Sequence, residues 1–83
     1  MNEIERQHRL EWIAYIIQIE NTGSLDEFAH RCNMEKRTLS NKIDVLRQYT
    51  GIAGAKILYD RGRKTYYFSP KGKFTTFEFV ELD

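Results

Sequence analysis

The sequence predicts a small α+β domain, three helices followed by antiparallel strands. Three observations carry that expectation. Apolar residues recur at helical spacing as far as Tyr49, and beyond Gly54 the period falls to two. Turn-forming residues stand at the boundaries between these stretches.

The first helix is expected over residues 5–20. Leu10, Ile13, Ala14 and Ile17 fall on one face, and Trp12, Ile16 and Ile19 widen it beyond a normal stripe. Asn21-Thr22-Gly23 stops it. The second helix, residues 25–32, begins at a sharp signal. Ser24 followed by Glu27 three residues on makes a capping box. Leu25, Phe28, Ala29 and Cys32 share its apolar face, and Asn33 suits a tight left-handed turn. The third helix, residues 36–49, repeats Leu39, Ile43, Leu46 and Tyr49 on one side, with Gly51 as its expected stop. Next come Lys56–Asp60 and Lys64–Phe68, rich in β-branched and aromatic residues, around the loop Arg61-Gly62-Arg63. The predicted hairpin spans residues 56–68. Residues 69–73 read as a second turn, and residues 74–80 as a third strand at a sheet edge.

Eighty-three residues suffice for one domain, taken as 1–83. A lone cysteine, Cys32, excludes an internal disulfide and fits a reducing cytoplasm. The apolar run Trp12–Ile17 is too short to span a membrane, and the N-terminus lacks the pattern of a secretory leader. A cytoplasmic protein without membrane contact is therefore expected.

The net charge of +1 conceals an asymmetry. Residues 1–30 balance at −4, residues 31–73 at +8 and residues 74–83 at −3. A basic middle between acidic ends suggests one face turned toward a polyanion.

Few residues join the second and third helices, so the two must cross steeply. Phe28, Ala29, Cys32, Met34, Leu39, Ile43 and Leu46 would fill the angle. That is helix-turn-helix geometry, in which the second helix of the pair enters the major groove. The runs Leu25-Asp26-Glu27-Phe28-Ala29 and Cys32 through Leu39, continuing to Ile43 and Leu46, resemble the winged helix-turn-helix of DeoR-type repressors. Ile57-Leu58-Tyr59-Asp60 and Arg63 through Phe68 resemble the wing of that group's small stand-alone relatives. The likeness covers residues 8–70. It implies a winged-helix fold and sequence-specific binding of double-stranded DNA by a small transcriptional regulator. The chain departs from the family at Asn33, Glu35, Ser40 and Asn41, where the family often carries Gly, Ser and two Arg. Residues 71–83 resemble no part of a sugar-phosphate sensor domain, so the effector function of the larger repressors is not expected of this sequence.

Base edges are read by short polar or forked side chains in the first half of a recognition helix. Arg37, Ser40 and Asn41 are the expected base contacts, and Lys36, Thr38 and Lys42 the expected phosphate contacts. Arg61, Arg63 and Lys64 would offer the wing's charge to the backbone or minor groove.

Other chemistries find little support. His30 and Cys32, with His8 the only other histidine, make no tetrahedral metal set, and Cys32 reads as a small core residue. Neither a nucleophile–base–acid arrangement nor a Gly-rich phosphate loop stands out, so neither an enzyme nor a cofactor is expected. Tyr66, Tyr67 and Phe68 could stack single-stranded bases, but alternate members packing on the third helix is the expected arrangement. Trp12, Ile16 and Ile19 admit two readings: Phe74, Phe77 and Phe79 of the last strand cover them, or they form a homodimer surface. A winged helix used for protein–protein contact, with the first helix as its surface, is the competing function.

Overall fold

The computed structural model describes residues 3–75 and 78–82. Helices α1 (Glu3–Gln18), α2 (Leu25–Arg31) and α3 (Lys36–Ile52) precede strands β1 (Lys56–Asp60), β2 (Thr65–Ser69), β3 (Gly72–Thr75) and β4 (Glu78–Glu81). The class is α+β, as expected. The strands form two separate antiparallel pairs, β1–β2 and β3–β4, where a single sheet of two or three strands was expected.

The core is built as the periodicities require. Ile13 and Ile17 of α1, Phe28 of α2, and Leu39, Ile43 and Leu46 of α3 are almost wholly buried. The hairpins close it with Ile57, Phe68, Phe74 and Phe79. Phe68 and Phe79 join the two hairpins with ring centroids 5.0 Å apart, and Phe74 meets Tyr49 of α3 at 5.6 Å. No buried side-chain polar atom among the described residues lacks a hydrogen-bond partner.

The α2 start follows the sequence closely. Ser24 Oγ accepts from the Glu27 amide at 3.3 Å, and the Glu27 carboxylate accepts from the Ser24 amide at 3.3 Å. Asn33 takes the left-handed conformation, φ 53°.

Several boundaries differ. α1 ends at Gln18 and reverses at Glu20, whose φ is 55°, before the Asn21-Thr22-Gly23 stop. α3 runs through Gly51 to Ile52, because Gly51 is open on all sides and needs no unusual φ. The left-handed terminator is Gly54, φ 78°. The first hairpin extends to Ser69, and its loop has four residues, Arg61–Lys64, with Lys64 rather than Gly62 at positive φ. The expected last strand is divided into β3 and β4. Their register pairs Gly72 with Glu81 and Thr75 with Glu78. Gly72 and Lys73, expected in a turn, are strand residues.

A polar clasp that the sequence gives no sign of joins the α1–α2 connection to β2. Thr22 and Thr65 are both buried. The Thr22 amide donates to Thr65 Oγ1 at 3.1 Å, and the Tyr66 amide donates to Thr22 Oγ1 at 2.9 Å. Threonine hydroxyls thus stand in for a backbone ladder at the edge of β2.

Candidate nucleic-acid interface

α3 buries one side and offers the other to solvent. Arg37, Ser40, Asn41, Asp44 and Gln48 are exposed and follow one another at helical spacing. Thr38 is exposed and Lys42 half-buried. Glu35 takes the N-cap position without a side-chain cap bond, and the first turn of α3 carries no acid. The Glu35 carboxylate thus stands beside the positive dipole end of the helix without bonding its free amides. Lys36 is held by Asp26 of α2 at 3.1 Å. Both side chains are largely exposed, so the pair contributes less than about 1 kcal/mol.

The first hairpin is braced against α3 and against the α1–α2 connection. Arg47 Nη2 donates to the Ile57 carbonyl at 3.4 Å, while its Nη1 pairs with Asp44 at 3.2 Å. Nothing in the local sequence marks Arg47 for this contact. Its place in the brace is invisible until β1 is folded beside it. On the other side the Thr22–Thr65 clasp fixes β2.

The same short stretch of chain that carries Thr22 also carries Asp26, the partner of Lys36. Four Cα steps separate them, about 15 Å at most. The base of the hairpin loop and the start of α3 therefore each have a partner on one five-residue segment, buried for the loop and exposed for the helix.

The loop itself is built on Asp60. Its Oδ1 accepts from the amides of Gly62 at 2.9 Å and Arg63 at 3.1 Å. Its Oδ2 accepts from Arg63 Nε at 2.9 Å. Arg63 Nη1 also donates to Glu20, and the guanidinium lies 5.5 Å from the Tyr67 ring centroid. The Arg63 bonds hold the Asp60 carboxyl below its ordinary range, and the two carboxylates hold the Arg63 guanidinium charged. The Asp60 contribution is present above the unfolded-state carboxyl range and is lost as pH falls through the lowered value. Arg61 and Lys64 are exposed and enter no ion pair with another described residue. Of the expected wing bases, these two remain available and Arg63 is engaged.

The aromatic hairpin is not an open stacking platform. Phe68 is buried, and Tyr66 packs on Phe28 of α2 at 6.0 Å and on Tyr59 at 4.8 Å. Phe68 is buried and Tyr66 half-buried, but their ring partners lie on α2, β1 and the second hairpin rather than on α3. Burial raises the Tyr66 hydroxyl and the Cys32 thiol above their ordinary values. Cys32 is thereby kept from the reactive thiolate form. Among the described residues no His, Cys, Asp or Glu cluster could hold a metal ion, and no described helix is long and apolar enough to cross a membrane.

The exposed apolar face of α1 corrects the expected dimer surface. Ile16 is only 6% exposed and belongs to the core, whereas Tyr15 is 50% exposed. Trp12, at 55%, and Ile19, at 48%, complete a stripe at positions i, i+3 and i+7. The Trp12 and Tyr15 rings stack at 6.1 Å. Phe74 and Phe79 are buried elsewhere and leave Trp12 and Ile19 open, and Phe77 lies outside the described residues.

Comparison of the chain with protein-family models, with curated proteins and with solved structures finds no match.

Proposed function

We propose that this chain is a winged helix-turn-helix that binds double-stranded DNA sequence-specifically, as a small transcriptional regulator. α3 enters the major groove, and the β1–β2 loop lies against the backbone or minor groove. The observation that supports this reading is that the α3 start and the base of the hairpin loop both find partners on residues 22–26, Lys36 on Asp26 and Thr65 on Thr22, beside a polar exposed face of α3. Arg37, Ser40 and Asn41 are the base-reading side chains, and the exposed cations around them supply the phosphate contacts.

The test is duplex binding by the full chain over a salt series, with a randomised library and sequencing of the bound fraction. The reading expects a steep loss of affinity with salt together with an enriched motif. Binding without a motif removes the base-reading role, and absence of binding at low salt removes the DNA reading altogether. Asn41→Ala is expected to relax preference at one base pair, by about 1–3 kcal/mol for a bidentate adenine contact. Lys64→Ala is expected to weaken all sequences alike. Equal losses on specific and random duplexes for both variants would contradict these roles.

We further propose that Trp12, Tyr15 and Ile19 pair two copies of the chain, which would place two α3 helices on two half-sites. A palindromic motif is then expected. Sedimentation should show a concentration-dependent dimer that Tyr15→Ala weakens and that Ile52→Ala, at an exposed apolar side chain on α3, leaves alone. The same stripe favours the competing reading, a module that docks on another protein through α1. A chain that stays monomeric and has no duplex affinity supports that reading instead.

A further inference from the structure

We infer that Arg63 is a strut that positions the hairpin loop, that Glu20 is the post it stands on, and that Arg61 and Lys64 are the cations the loop presents to phosphate. The last clause rests on the DNA reading above, and the strut itself does not.

Two of the five guanidinium N–H groups of Arg63 are taken, and although its side chain is 54% exposed, those two bonds hold it in place. Nε is committed to Asp60, Nη1 to Glu20, and the plane lies near the Tyr67 ring. Glu20 is no ordinary surface acid. Its side chain is only 16% exposed, and its backbone holds a left-handed conformation that costs a non-glycine residue free energy. Lys71, next to the start of the second hairpin, approaches its other oxygen at 4.0 Å. Glu20 therefore stands where the end of α1 meets both hairpins. Charge points the same way. Glu20, Asp60, Arg63 and Lys71 sum to zero, so Arg63 adds little field at the loop, while Arg61 and Lys64 have no ion-pair partner among the described residues.

The two roles for Arg63 predict opposite signs for one substitution. If Arg63 were a phosphate contact, Glu20→Gln would release it and add one unit of positive charge, so duplex affinity would rise. If Arg63 is a strut, Glu20→Gln loosens the loop and affinity falls despite the added charge.

The experiment measures duplex affinity and its salt dependence for the full chain with Glu20→Gln, Arg63→Gln, both together, and Arg61→Gln and Lys64→Gln singly. Amide exchange and the Arg63 Nε–H resonance are followed in the free protein. The strut expects each of Glu20→Gln and Arg63→Gln to weaken binding about fivefold, and the double variant to lose little more than either alone. Arg61→Gln and Lys64→Gln should each reduce the salt slope by about 0.9. In the free protein both strut variants should speed exchange at the Gly62 and Arg63 amides and leave the Leu46 amide unchanged. Stronger binding by Glu20→Gln, or unchanged loop exchange, overturns the proposal. Faster loop exchange in a protein that binds no duplex upholds the strut and defeats the DNA reading instead.

Discussion

Phe28→Ala is expected to cost about 3–5 kcal/mol of folding stability, the largest loss available from a single aromatic truncation in a core of this kind. Phe28 is fully buried on α2 and packs on Tyr66 of β2, so its ring joins the helical half of the molecule to the first hairpin. Domains carry roughly 0.05–0.15 kcal/mol per residue, or about 4–12 kcal/mol for a chain of 83 residues. The loss is about a quarter or more of that stability, and at the low end of the range it brings the variant to the midpoint of unfolding without denaturant. Urea titration followed by circular dichroism checks this. A loss below about 1 kcal/mol would mean that the site collapses around the cavity and that α2 does not depend on the hairpin.

Gly72→Ala gives the second large effect, through crowding rather than a void. A Cβ there would lie 2.2 Å from Phe79 Cζ and 2.6 Å from the Val80 carbonyl oxygen. The Phe79 ring is buried and wedged against Phe68, and the carbonyl belongs to the paired strand, so neither yields freely. The expected cost is about 1–3 kcal/mol, the usual range for overpacking. Gly51→Ala supplies the opposite sign. Nothing lies within 4 Å of a Cβ at that helical position, so alanine should stabilise by about 0.5–1 kcal/mol. Thermal unfolding of both variants tests the contrast. If both move the same way, helix propensity and close approach have been wrongly apportioned.

These residues also show what the sequence reveals and what it hides. The capping box of Ser24 and Glu27 and the turn at Asn33 are local spacings, and they read directly. Burial along β2 does not alternate, since Thr65 and Phe68 are buried with Tyr66 and Tyr67 half-buried between them. Gly72 was expected in a turn because proline and glycine cluster there. Its real constraint is the approach of Phe79, which is known only once β4 has paired. The outer face of α1 could not be assigned, because apolar residues surround that helix. Whether Tyr15 or Ile16 faces solvent depends on where β2, β3 and α3 pack against it. At the candidate interface, the exposed face of α3 was legible from periodicity. The capture of Arg63 by Glu20 was not, since the two stand 43 residues apart. Basic residues in a loop announce charge, and only the folded chain decides which charges are spent internally.

The Thr22–Thr65 clasp bears on the order in which the molecule assembles. The α2–α3 pair closes over a few residues and needs little chain ordering, so it belongs to the early events of folding. The clasp spans 43 residues and has its hydroxyls in place only after β2 has paired with β1. A contact of such sequence separation is expected to form late, after the transition state. Loss of the hydroxyl in Thr65→Val should appear almost wholly as faster unfolding, with the refolding rate unchanged. In that sense the clasp governs how long the hairpin, once docked, stays beside the α1–α2 connection.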